Sequence, residues 1–337
     1  MRIAINGFGR IGRTFLRTIL EDPASLAMLD VVAINIGPAP LDAVPYAFKY
    51  DTVMGTFPAP VVMRGDQLYI GDYAIQIIAE TDPAKVNWEK FGIDWVVEAS
   101  GHFTDREGAS KHITAGARAV LITAPATDED VTIVPGVNDD MFDRTKDTIV
   151  SLASCTTNAL LPMLDILHRA FGVENGFMTT IHAYTTSQKL LDGMDKKLRR
   201  GRAAALNIVP TTTGATKLLG KVLPELAGRV GGLSVRVPVA KVSLIDLTVT
   251  TREALSVDQI HEVFKAAIAD RMGGIVDLTM EPLVSSDFGG NNHSVVIDGL
   301  STAVVQNNTA KILGWYDNEW GYCQRLKDFL MHLVMNS

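Results

Sequence analysis

The sequence predicts an α/β protein whose first half forms a doubly wound parallel sheet and whose second half is an α+β domain with a largely antiparallel sheet. Up to about residue 150, short uninterrupted apolar runs alternate with helix-like segments, which is typical of parallel strands covered on both faces. Longer segments of alternating polarity follow, which is typical of strands with one buried face. With 337 residues, the chain is also too long for a single hydrophobic core.

These patterns predict the elements in order along the chain. In the first half we predict strands at Ile3–Asn6, Val31–Asn35, Trp95–Ala99, Ala119–Thr123 and Thr148–Ser151, and helices that include Ile11–Leu20 and Ala159–Phe171. In the second half we predict strands at Phe177–Tyr184, Gly232–Val239, Val242–Thr251 and Ser294–Ile297, and helices at Gly214–Leu223, Ser256–Asp270 and Asn318–Leu333. We expect residues 1–153 and 154–318 to form separate domains, with the last helix, about 319–337, packing back on the first.

The composition narrows the classes of function. The net charge of −7 leaves no basic surplus for a phosphate backbone, so nucleic acid is not expected as a partner, although a small anion needs only a few local donors. Two cysteines cannot form a disulfide framework and favour a reducing, cytoplasmic compartment. Because the chain enters a strand at Arg2 and lacks an apolar run of roughly 18 residues, neither a signal peptide nor a membrane is expected. No metal site is predicted.

A glycine-rich turn joins the first strand to the first helix. Gly7, Gly9 and Gly12 have the G-x-G-x-x-G spacing of Rossmann-type dinucleotide sites. The first glycine permits a tight turn, the second lets the backbone approach a pyrophosphate, and the third allows the helix to pack closely on the strand. The pyrophosphate would face the helix N-terminus. The cofactor contacts predicted in this turn are Asn6, Gly7, Phe8, Gly9, Arg10, Ile11 and Gly12.

The second strand lacks the acidic residue that would hold both ribose hydroxyls of NAD. Ile36 occupies its place after Asn35, and Asp30 lies at the opposite end of the strand. Because isoleucine does not repel a 2′-phosphate, we predict that NADP is tolerated and is a candidate for the preferred cofactor. NAD binding through other contacts stays open, since no arginine follows Ile36 to bind that phosphate.

One cysteine stands where a thiol would be reactive. Cys155 lies between a predicted strand and a predicted helix, in the polar run 154–158. Unpaired N–H groups and partial positive charge at a helix start stabilise a thiolate. We therefore predict that Cys155 is an ionised nucleophile where the two domains join. The alternative is a small buried hydrophobic side chain.

A nucleophilic thiol needs a base, and His182 is the candidate among seven histidines. It follows an apolar strand and precedes Ala183-Tyr184-Thr185, so it lies at a strand exit where ligand-binding loops gather. The remaining histidines are assigned to surface, packing or loop positions; they are His102, His112, His168, His261, His293 and His332.

These motifs, with others that follow in order, resemble phosphorylating glyceraldehyde-3-phosphate dehydrogenase from residue 2 to about 330. The cysteine block with the run 182–185 is specific to that family, whereas the glycine turn alone is not. The matching segments are 6–13, 153–160, 182–185, 198–205, 210–214, 236–238 and 315–319.

The resemblance implies an oxidoreductase that converts glyceraldehyde 3-phosphate and inorganic phosphate into 1,3-bisphosphoglycerate, with hydride transfer to NAD or NADP. Cys155 would attack the aldehyde carbon, His182 would take the thiol proton, and Asn318 would hold the nicotinamide carboxamide. The resemblance also implies a homotetramer, in which the loop 186–208 reaches a neighbouring cofactor pocket. Thr185 and Arg236 would bind the substrate phosphate with Arg200 between the two anion sites; Ser154, Thr156, Thr213 and Gly214 would bind the attacking phosphate; and Asn35, Ile36 and Thr123 would complete the cofactor contacts.

The chain departs from the family pattern at three informative places. Ile36 replaces an aspartate, and Gly193-Met194 replace a Leu-Pro pair of NAD-using members. Both differences favour NADP. Ser187 stands where an aspartate precedes Gln188, so the expected phosphate site lacks a neighbouring acid.

Two other functions stay open at this point. Erythrose-4-phosphate dehydrogenase shares the glycine turn and the cysteine block, but it lacks the Tyr-Thr pair and the Thr-Thr-Thr-Gly loop that this chain has at 184–185 and 211–214. A non-catalytic scaffold of the same fold is the second alternative, and the presence of both Cys155 and His182 argues against it.

Overall fold

The computed structural model describes residues 1–336 and divides the chain into two compact units. The first unit comprises residues 1–133, residues 140–153 and the C-terminal segment from Cys323. The second unit comprises residues 134–139 and 154–322. The strands are β1 Arg2–Asn6, β2 Asp30–Asn35, β3 Val61–Arg64, β4 Gln67–Ile70, β5 Tyr73–Ile78, β6 Trp95–Glu98, β7 Ala119–Ile122, β8 Val131–Thr132, β9 Ile149–Ser151, β10 Val173–Ala183, β11 Val209–Thr211, β12 Val230–Val237, β13 Ser243–Thr251, β14 Val276–Thr279, β15 Val295–Val305 and β16 Thr309–Tyr316.

The α-helices of the described residues are distributed over both units. They are α1 Arg10–Leu20, α2 Pro23–Met28, α3 Val44–Lys49, α4 Arg106–Thr114, α5 Cys155–Phe171, α6 Leu219–Val222, α7 Val257–Ala269 and α8 Trp320–Met335. From Cys323 onward α8 belongs to the first unit, where Lys327 pairs with Asp22 at 2.8 Å and Phe329 meets Trp95 edge to face. None of the helices within residues 1–336 is long and apolar enough to cross a bilayer.

The first unit is built on a nine-stranded sheet in the order β3-β4-β5-β2-β1-β6-β7-β9-β8. From β5 to β8 every pair in this order is parallel, and β3 and β4 extend the sheet as antiparallel strands. Every residue of β6 and β7 is buried, as expected of strands covered on both faces. The antiparallel extension was not predicted, because its half-exposed strands lack the long apolar runs that mark the interior strands.

The second unit is built on a seven-stranded sheet in the order β11-β12-β10-β13-β16-β15-β14. The β10–β12 and β14–β15 pairs are parallel, and the others are antiparallel. Buried and partly buried residues alternate along β13, which explains its alternating polarity in the sequence. The predicted fold class, a parallel sheet followed by a largely antiparallel one, is confirmed.

Two predicted helices differ from the structure. The helix predicted at 214–223 is a 3₁₀ turn over Ala215–Leu218 followed by the single turn of α6. The helix predicted from Ala159 begins four residues earlier, at Cys155. Polar residues in its first turn concealed this start, because Ser and Thr are poor helix formers away from a cap.

Candidate active site

A tight turn between β9 and α5 places Cys155. Ala153 adopts the left-handed conformation with φ 54°, which costs a non-glycine residue about 1–2 kcal/mol. Ser154 then caps the helix, since its hydroxyl accepts a hydrogen bond from the N–H of Thr157 at 3.2 Å. Cys155 is therefore the first residue of α5, at the end of the helix that carries the partial positive charge.

Within the second unit, α5 and β10 bring the thiol and the imidazole together. The Sγ atom of Cys155 lies 3.6 Å from Nε2 of His182. His182 is the penultimate residue of β10 and is 4% exposed, while Cys155 keeps part of its side chain accessible. Cys155 and His182 lie 27 positions apart in the sequence, and the structure makes them a contacting pair.

Parallel pairing of β10 with β12 places Arg236 directly beside His182. Its Nη1 lies 2.8 Å from Nδ1 of His182 and donates to the carbonyl of Ala183 at 3.0 Å. Nδ1 of His182 is itself 2.7 Å from that carbonyl. Because that carbonyl only accepts, we assign the neutral ring's proton to Nδ1, which leaves the lone pair of Nε2 facing the sulfur. Nη1 of Arg236 only donates, so with this assignment its hydrogen bond goes to the carbonyl of Ala183 and not to the ring.

The electrostatic environment corrects one expectation from the sequence. Burial raises the pKa of the Cys155 thiol, while the Arg236 guanidinium and hydrogen bonds from Thr156 lower it, so the helix start alone does not ionise this cysteine. Burial, together with the positive charge of Arg236, lowers the pKa of His182 to about 3. Each group is thus hard to ionise separately. Proton transfer within the pair is different, because it creates a thiolate and an imidazolium without adding net charge.

A buried tyrosine, to which the sequence analysis gave no role, packs against the pair. The hydroxyl of Tyr316 lies 3.0 Å from Oγ1 of Thr156 and 2.8 Å from Oγ1 of Thr180. Its ring meets the His182 ring edge to face, with centroids 5.9 Å apart. Burial and the neighbouring Cys155 raise the pKa of Tyr316, so it stays a neutral wall of the site. Only its presence in the segment 315–319 could have pointed to it.

Asn318 lies just beyond β16, at the start of the turn into α8. Its Oδ1 accepts a hydrogen bond from the hydroxyl of Ser243 at 2.8 Å, and Asn318 is 6% exposed. The carboxylate of Asp317 holds this turn by accepting from the backbone N–H groups of Glu319 and Trp320. Asn318 is thereby fixed in backbone and side chain.

The other residues predicted to bind phosphate lie in the loops that follow β10 and β11. Arg200 donates to Oγ1 of Thr211 at 3.0 Å, and its charge lowers the pKa of both His182 and Arg236, so it lies near them. Oγ1 of Thr185 lies 2.9 Å from the hydroxyl of Ser187. Thr213 and Gly214 form the turn before Ala215, where Oγ1 of Thr213 accepts from the N–H of Ala215.

In the first unit, the glycine turn borders a cavity of about 600 Å³. Gly7 has φ 96°, and a Cβ there would lie 2.4 Å from the backbone nitrogen of Ser100. A Cβ at Gly12 would lie 2.2 Å from the carbonyl oxygen of Gly7. At Gly9, by contrast, a Cβ would meet no protein atom within 4 Å. Gly9 caps α1 without a side-chain hydrogen bond, so the helix start is open to a ligand at this point.

The cavity includes some of the predicted cofactor contacts and adds others. The predicted contacts that line it are Asn6, Gly7, Phe8, Gly9, Asn35 and Ile36. Thr81 also lines it, as do Arg13, Glu80, Ser100 and Phe103, which were not predicted from the sequence. Arg10, Ile11, Gly12 and Thr123 do not line it. The side chain of Arg10 pairs with Asp51, and Thr123 donates to the carbonyl of Glu98 at 3.0 Å.

A buried network of hydrogen bonds holds some of the residues that line this cavity. The carboxylate of Glu98 accepts from Nδ2 of Asn6 at 2.6 Å and from the N–H of Ser100 at 2.7 Å. It also meets Nε2 of His112 at 3.0 Å, and Trp88 donates to the other ring nitrogen of that histidine. Asn6 and Ser100 both line the cavity, so the network fixes two of its walls.

A nicotinamide dinucleotide fits this cavity. The unfilled space at Gly9 and the start of α1 suit a pyrophosphate, which needs close backbone approach and N–H donors. The apolar side chains of Ile36, Pro38 and Val44 suit a planar adenine. Among residues 1–336, no group of three or more His, Cys, Asp or Glu side chains is arranged to hold a metal ion.

The doubly wound sheet with its glycine turn is typical of the NAD-binding domains of oxidoreductases. Residues 1–106 match the model of the glyceraldehyde 3-phosphate dehydrogenase NAD-binding domain, and residues 154–318 match that of the C-terminal domain. The chain belongs to the glyceraldehyde-3-phosphate dehydrogenase family.

Curated relatives match over nearly their full lengths. The chain is 46% identical over 335 residues to glyceraldehyde-3-phosphate dehydrogenase 2 of Bacillus subtilis, covering 99% of this chain and 97% of the relative. It is 45% identical over 329 residues to glyceraldehyde-3-phosphate dehydrogenase 2 of Streptomyces avermitilis, covering 97% of both. It is 44% identical over 334 residues to glyceraldehyde-3-phosphate dehydrogenase of Geobacillus stearothermophilus, covering 99% and 98%.

Proposed function

We propose that this protein oxidises D-glyceraldehyde 3-phosphate and phosphorylates the product to 1,3-bisphosphoglycerate, through a thioester on Cys155. The observation that carries the proposal is the 3.6 Å contact between Sγ of Cys155 and Nε2 of His182, in a chain of this family. When bound, the dinucleotide supplies a nicotinamide ring that accepts a hydride.

In the first step, His182 takes the thiol proton on Nε2 while the sulfur attacks the aldehyde carbon. The S–C bond forms as the carbonyl π bond breaks, and His182 returns the proton to the carbonyl oxygen, which gives a hemithioacetal and leaves Nε2 unprotonated again. Nδ1–H stays on the carbonyl of Ala183, which holds the ring in the required orientation. The depressed pKa of His182 leaves Nε2 unprotonated at neutral pH, so it has a lone pair to accept the thiol proton.

In the second step, the hemithioacetal carbon loses a hydride and its hydroxyl loses a proton to His182, which leaves a thioester. An oxygen of inorganic phosphate then attacks the thioester carbon. The C–S bond breaks, the acyl phosphate leaves, and the sulfur is regenerated. The positive charge of Arg236 lies beside the pair and stabilises the sulfur whenever it carries negative charge.

We assign the phosphate groups to the arginines and hydroxyls of the second unit. Thr185 and Arg236 would bind the phosphate of the substrate, and Ser154, Thr156, Thr213 and Gly214 would bind the attacking phosphate. Arg200 would serve both. Guanidinium groups, hydroxyls and backbone N–H groups are what a doubly charged oxyanion needs. The hydroxyl of Ser187, 2.9 Å from that of Thr185, would add a neutral contact where a carboxylate would repel the ligand.

We further propose that the protein uses NAD and tolerates NADP. The side chain of Ile36 in the cavity offers no charge to a 2′-phosphate, which supports tolerance. The carboxylate of Glu80 also lines the cavity, and its pKa is lowered by N–H groups of its own loop, so it is ionised at neutral pH. This negative charge argues against NADP as the preferred cofactor, contrary to the stronger form of the prediction from sequence.

Assembly into a homotetramer is part of the same proposal. The loop 186–208 carries large apolar side chains that are more than two thirds exposed in the single chain; they are Leu190, Leu191, Met194, Leu198, Leu206 and Ile208. Apolar side chains in such a patch are typical of an interface between subunits. Both cysteines are free thiols, which is consistent with the reducing, cytoplasmic compartment that we propose.

One set of steady-state assays tests the proposed function. Glyceraldehyde 3-phosphate and erythrose 4-phosphate are each offered with NAD or NADP, with and without inorganic phosphate. We expect turnover to be highest with glyceraldehyde 3-phosphate and to depend on inorganic phosphate. A higher kcat/KM for erythrose 4-phosphate would favour the alternative dehydrogenase. Inactivity with all four pairs of aldehyde and cofactor, with or without phosphate, would favour the scaffold.

A further inference from the structure

A single buried hydroxyl links two parts of the candidate site. Ser243, the first residue of β13, is completely buried. Its Oγ accepts a hydrogen bond from the N–H of Ala183 at 3.1 Å and lies 2.8 Å from Oδ1 of Asn318. The hydroxyl therefore connects the peptide that follows His182 to the side chain of Asn318.

The hydrogen-bond arithmetic fixes which end of the Asn318 amide faces inward. A hydroxyl has one hydrogen to donate, and the N–H of Ala183 can only donate to it. The hydrogen of Ser243 must therefore go to another acceptor, and Oδ1 of Asn318 is within reach. With the amide reversed, two N–H donors would point at the hydroxyl oxygen and the hydroxyl hydrogen would lose its partner, which is costly in a buried site.

The Nδ2 end of the Asn318 amide consequently points away from Ser243. Nδ2 of Asn318 has no hydrogen-bond partner among residues 1–336, although the residue is largely buried. Two N–H donors in a fixed direction match the oxygen of a carboxamide. The carbonyl of Ala183 accepts from Nδ1 of His182 and from Arg236, so the backbone of this one residue contacts both the base and, through Ser243, the amide.

We propose that Ser243 is a positioning residue that sets the orientation of Asn318 and thereby the recognition of the nicotinamide carboxamide. The inference rests on the proposed function, because it takes Asn318 as the residue that binds the carboxamide. Ser243 itself would touch neither the substrate nor the cofactor. Its effect passes through one hydrogen bond to Asn318.

The test compares two ligands that differ in the nicotinamide ring. The dissociation constants of NAD and of ADP-ribose, which lacks that ring, are measured by calorimetry for the full-length protein and for Ser243→Ala. We expect NAD to bind about tenfold more weakly to the variant, as for the loss of one fixed hydrogen bond. ADP-ribose should bind both proteins equally, since the change lies at the carboxamide.

A matched control separates this effect from a general loss of packing. Ser234 on β12 is also a buried serine, but its hydroxyl has no hydrogen-bond partner in the described part of the chain. Ser234→Ala should leave both dissociation constants unchanged. In the double variant Ser243→Ala/Asn318→Ala, NAD should bind no more weakly than in Asn318→Ala alone, because Ser243 acts only through Asn318.

Three results would overturn the proposal: unchanged NAD binding in Ser243→Ala, equal weakening of NAD and ADP-ribose, or multiplicative losses in the double variant. Should Ser243→Ala fail to fold, Ser243→Cys provides the same comparison, since a thiol fills the space and is a weak donor. Failure of the proposed function has a different signature. The unsubstituted protein would then bind NAD normally but would not oxidise glyceraldehyde 3-phosphate.

Discussion

The chemistry of single residues at this site depends on how Cys155 and His182 share one proton. Burial raises the pKa of the thiol and lowers that of the imidazole, so the separate ions are disfavoured. Their 3.6 Å contact lets the proton pass without changing the net charge of the pair. We therefore propose that reactivity belongs to the pair, so that substitution of either residue should reduce the reactivity of the other.

Replacing Cys155 by serine should abolish turnover while preserving dinucleotide binding. A hydroxyl is far less acidic than a thiol and cannot form the thioester, so we expect kcat to fall by at least about 10⁴-fold. Steady-state assays and calorimetric titration with NAD check the two parts. Cys323→Ser is the matched control, because the only other cysteine is buried in α8 and should not affect kcat. Retained activity in Cys155→Ser would refute the nucleophile assignment.

Replacing His182 by asparagine should slow turnover by about 10²–10⁴-fold, the range for loss of a general base. It should also move the alkylation of Cys155 by iodoacetamide to higher pH, because burial would still raise the pKa of the thiol with no imidazole to take its proton. Alkylation rates of both proteins, measured between about pH 5 and 10, check this shift. The control is His261→Asn, at a buried histidine whose Nε2 hydrogen-bonds the carbonyl of Gly299. It should change neither turnover nor the pH dependence of alkylation. A loss below tenfold for His182→Asn would point to another base.

Replacing Ile36 by aspartate should shift cofactor preference toward NAD. A carboxylate at this cavity wall would repel a 2′-phosphate and accept from the ribose hydroxyls, so the NADP/NAD ratio of kcat/KM should fall by about 10- to 100-fold. Ile36→Asn introduces a side chain with the shape of aspartate but without its charge, so it should change the NADP/NAD ratio less. An unchanged ratio in Ile36→Asp would place cofactor choice elsewhere, with Glu80 as the first candidate.

At the scale of elements, the start of α1 separates two roles of glycine. Gly7→Ala introduces a Cβ 2.4 Å from the backbone of Ser100 at φ 96°, so it should destabilise the protein by about 2 kcal/mol or more. Gly9→Ala meets no protein atom, so it should leave stability unchanged and weaken NAD binding by at least about tenfold. Denaturant unfolding and calorimetry check the pair. Normal NAD binding in Gly9→Ala would mean that the dinucleotide does not approach this turn.

The other decisive element is α5, whose start was only partly predicted. The sequence indicated a strand before Cys155, a polar run around it and a helix after it. It did not show that Ala153 takes a left-handed conformation, because alanine gives no local signal for φ above zero. That turn places Ser154 as the cap and Cys155 as the first helical residue.

At the scale of the whole molecule, the exposed loop 186–208 predicts self-association. Light scattering should give a particle of four times the chain mass of 36.5 kDa. Leu191→Asp/Met194→Asp should reduce that mass, because charged residues are costly in a buried interface. Met335→Asp, at an exposed methionine outside the loop, should not. A monomer for the unsubstituted protein would contradict the proposed assembly.

Sequence patterns predicted the sheets well because the burial of a strand determines which of its residues are apolar. Strands covered on both faces are continuously apolar, as in β6 and β7, and half-buried strands alternate, as in β13. The antiparallel strands β3 and β4 and the broken helix after residue 214 have less distinctive sequence patterns. Local composition there did not distinguish the structure from a loop or a regular helix.

The sequence by itself predicted the fold class and the glycine turn, because each depends on residue type and on spacing along the chain, and its resemblance to a known family predicted Cys155 and His182 as the reactive pair. Only the tertiary structure decided the state of that pair. The direction of the Cys155 pKa shift depends on burial and on Arg236, which β-sheet register brings to the imidazole from 54 positions away. The orientation of Asn318 depends likewise on Ser243, 75 positions distant in the chain. Such contacts cannot be predicted from local sequence, because the strands that create them are far apart in the chain and pair only in the folded protein.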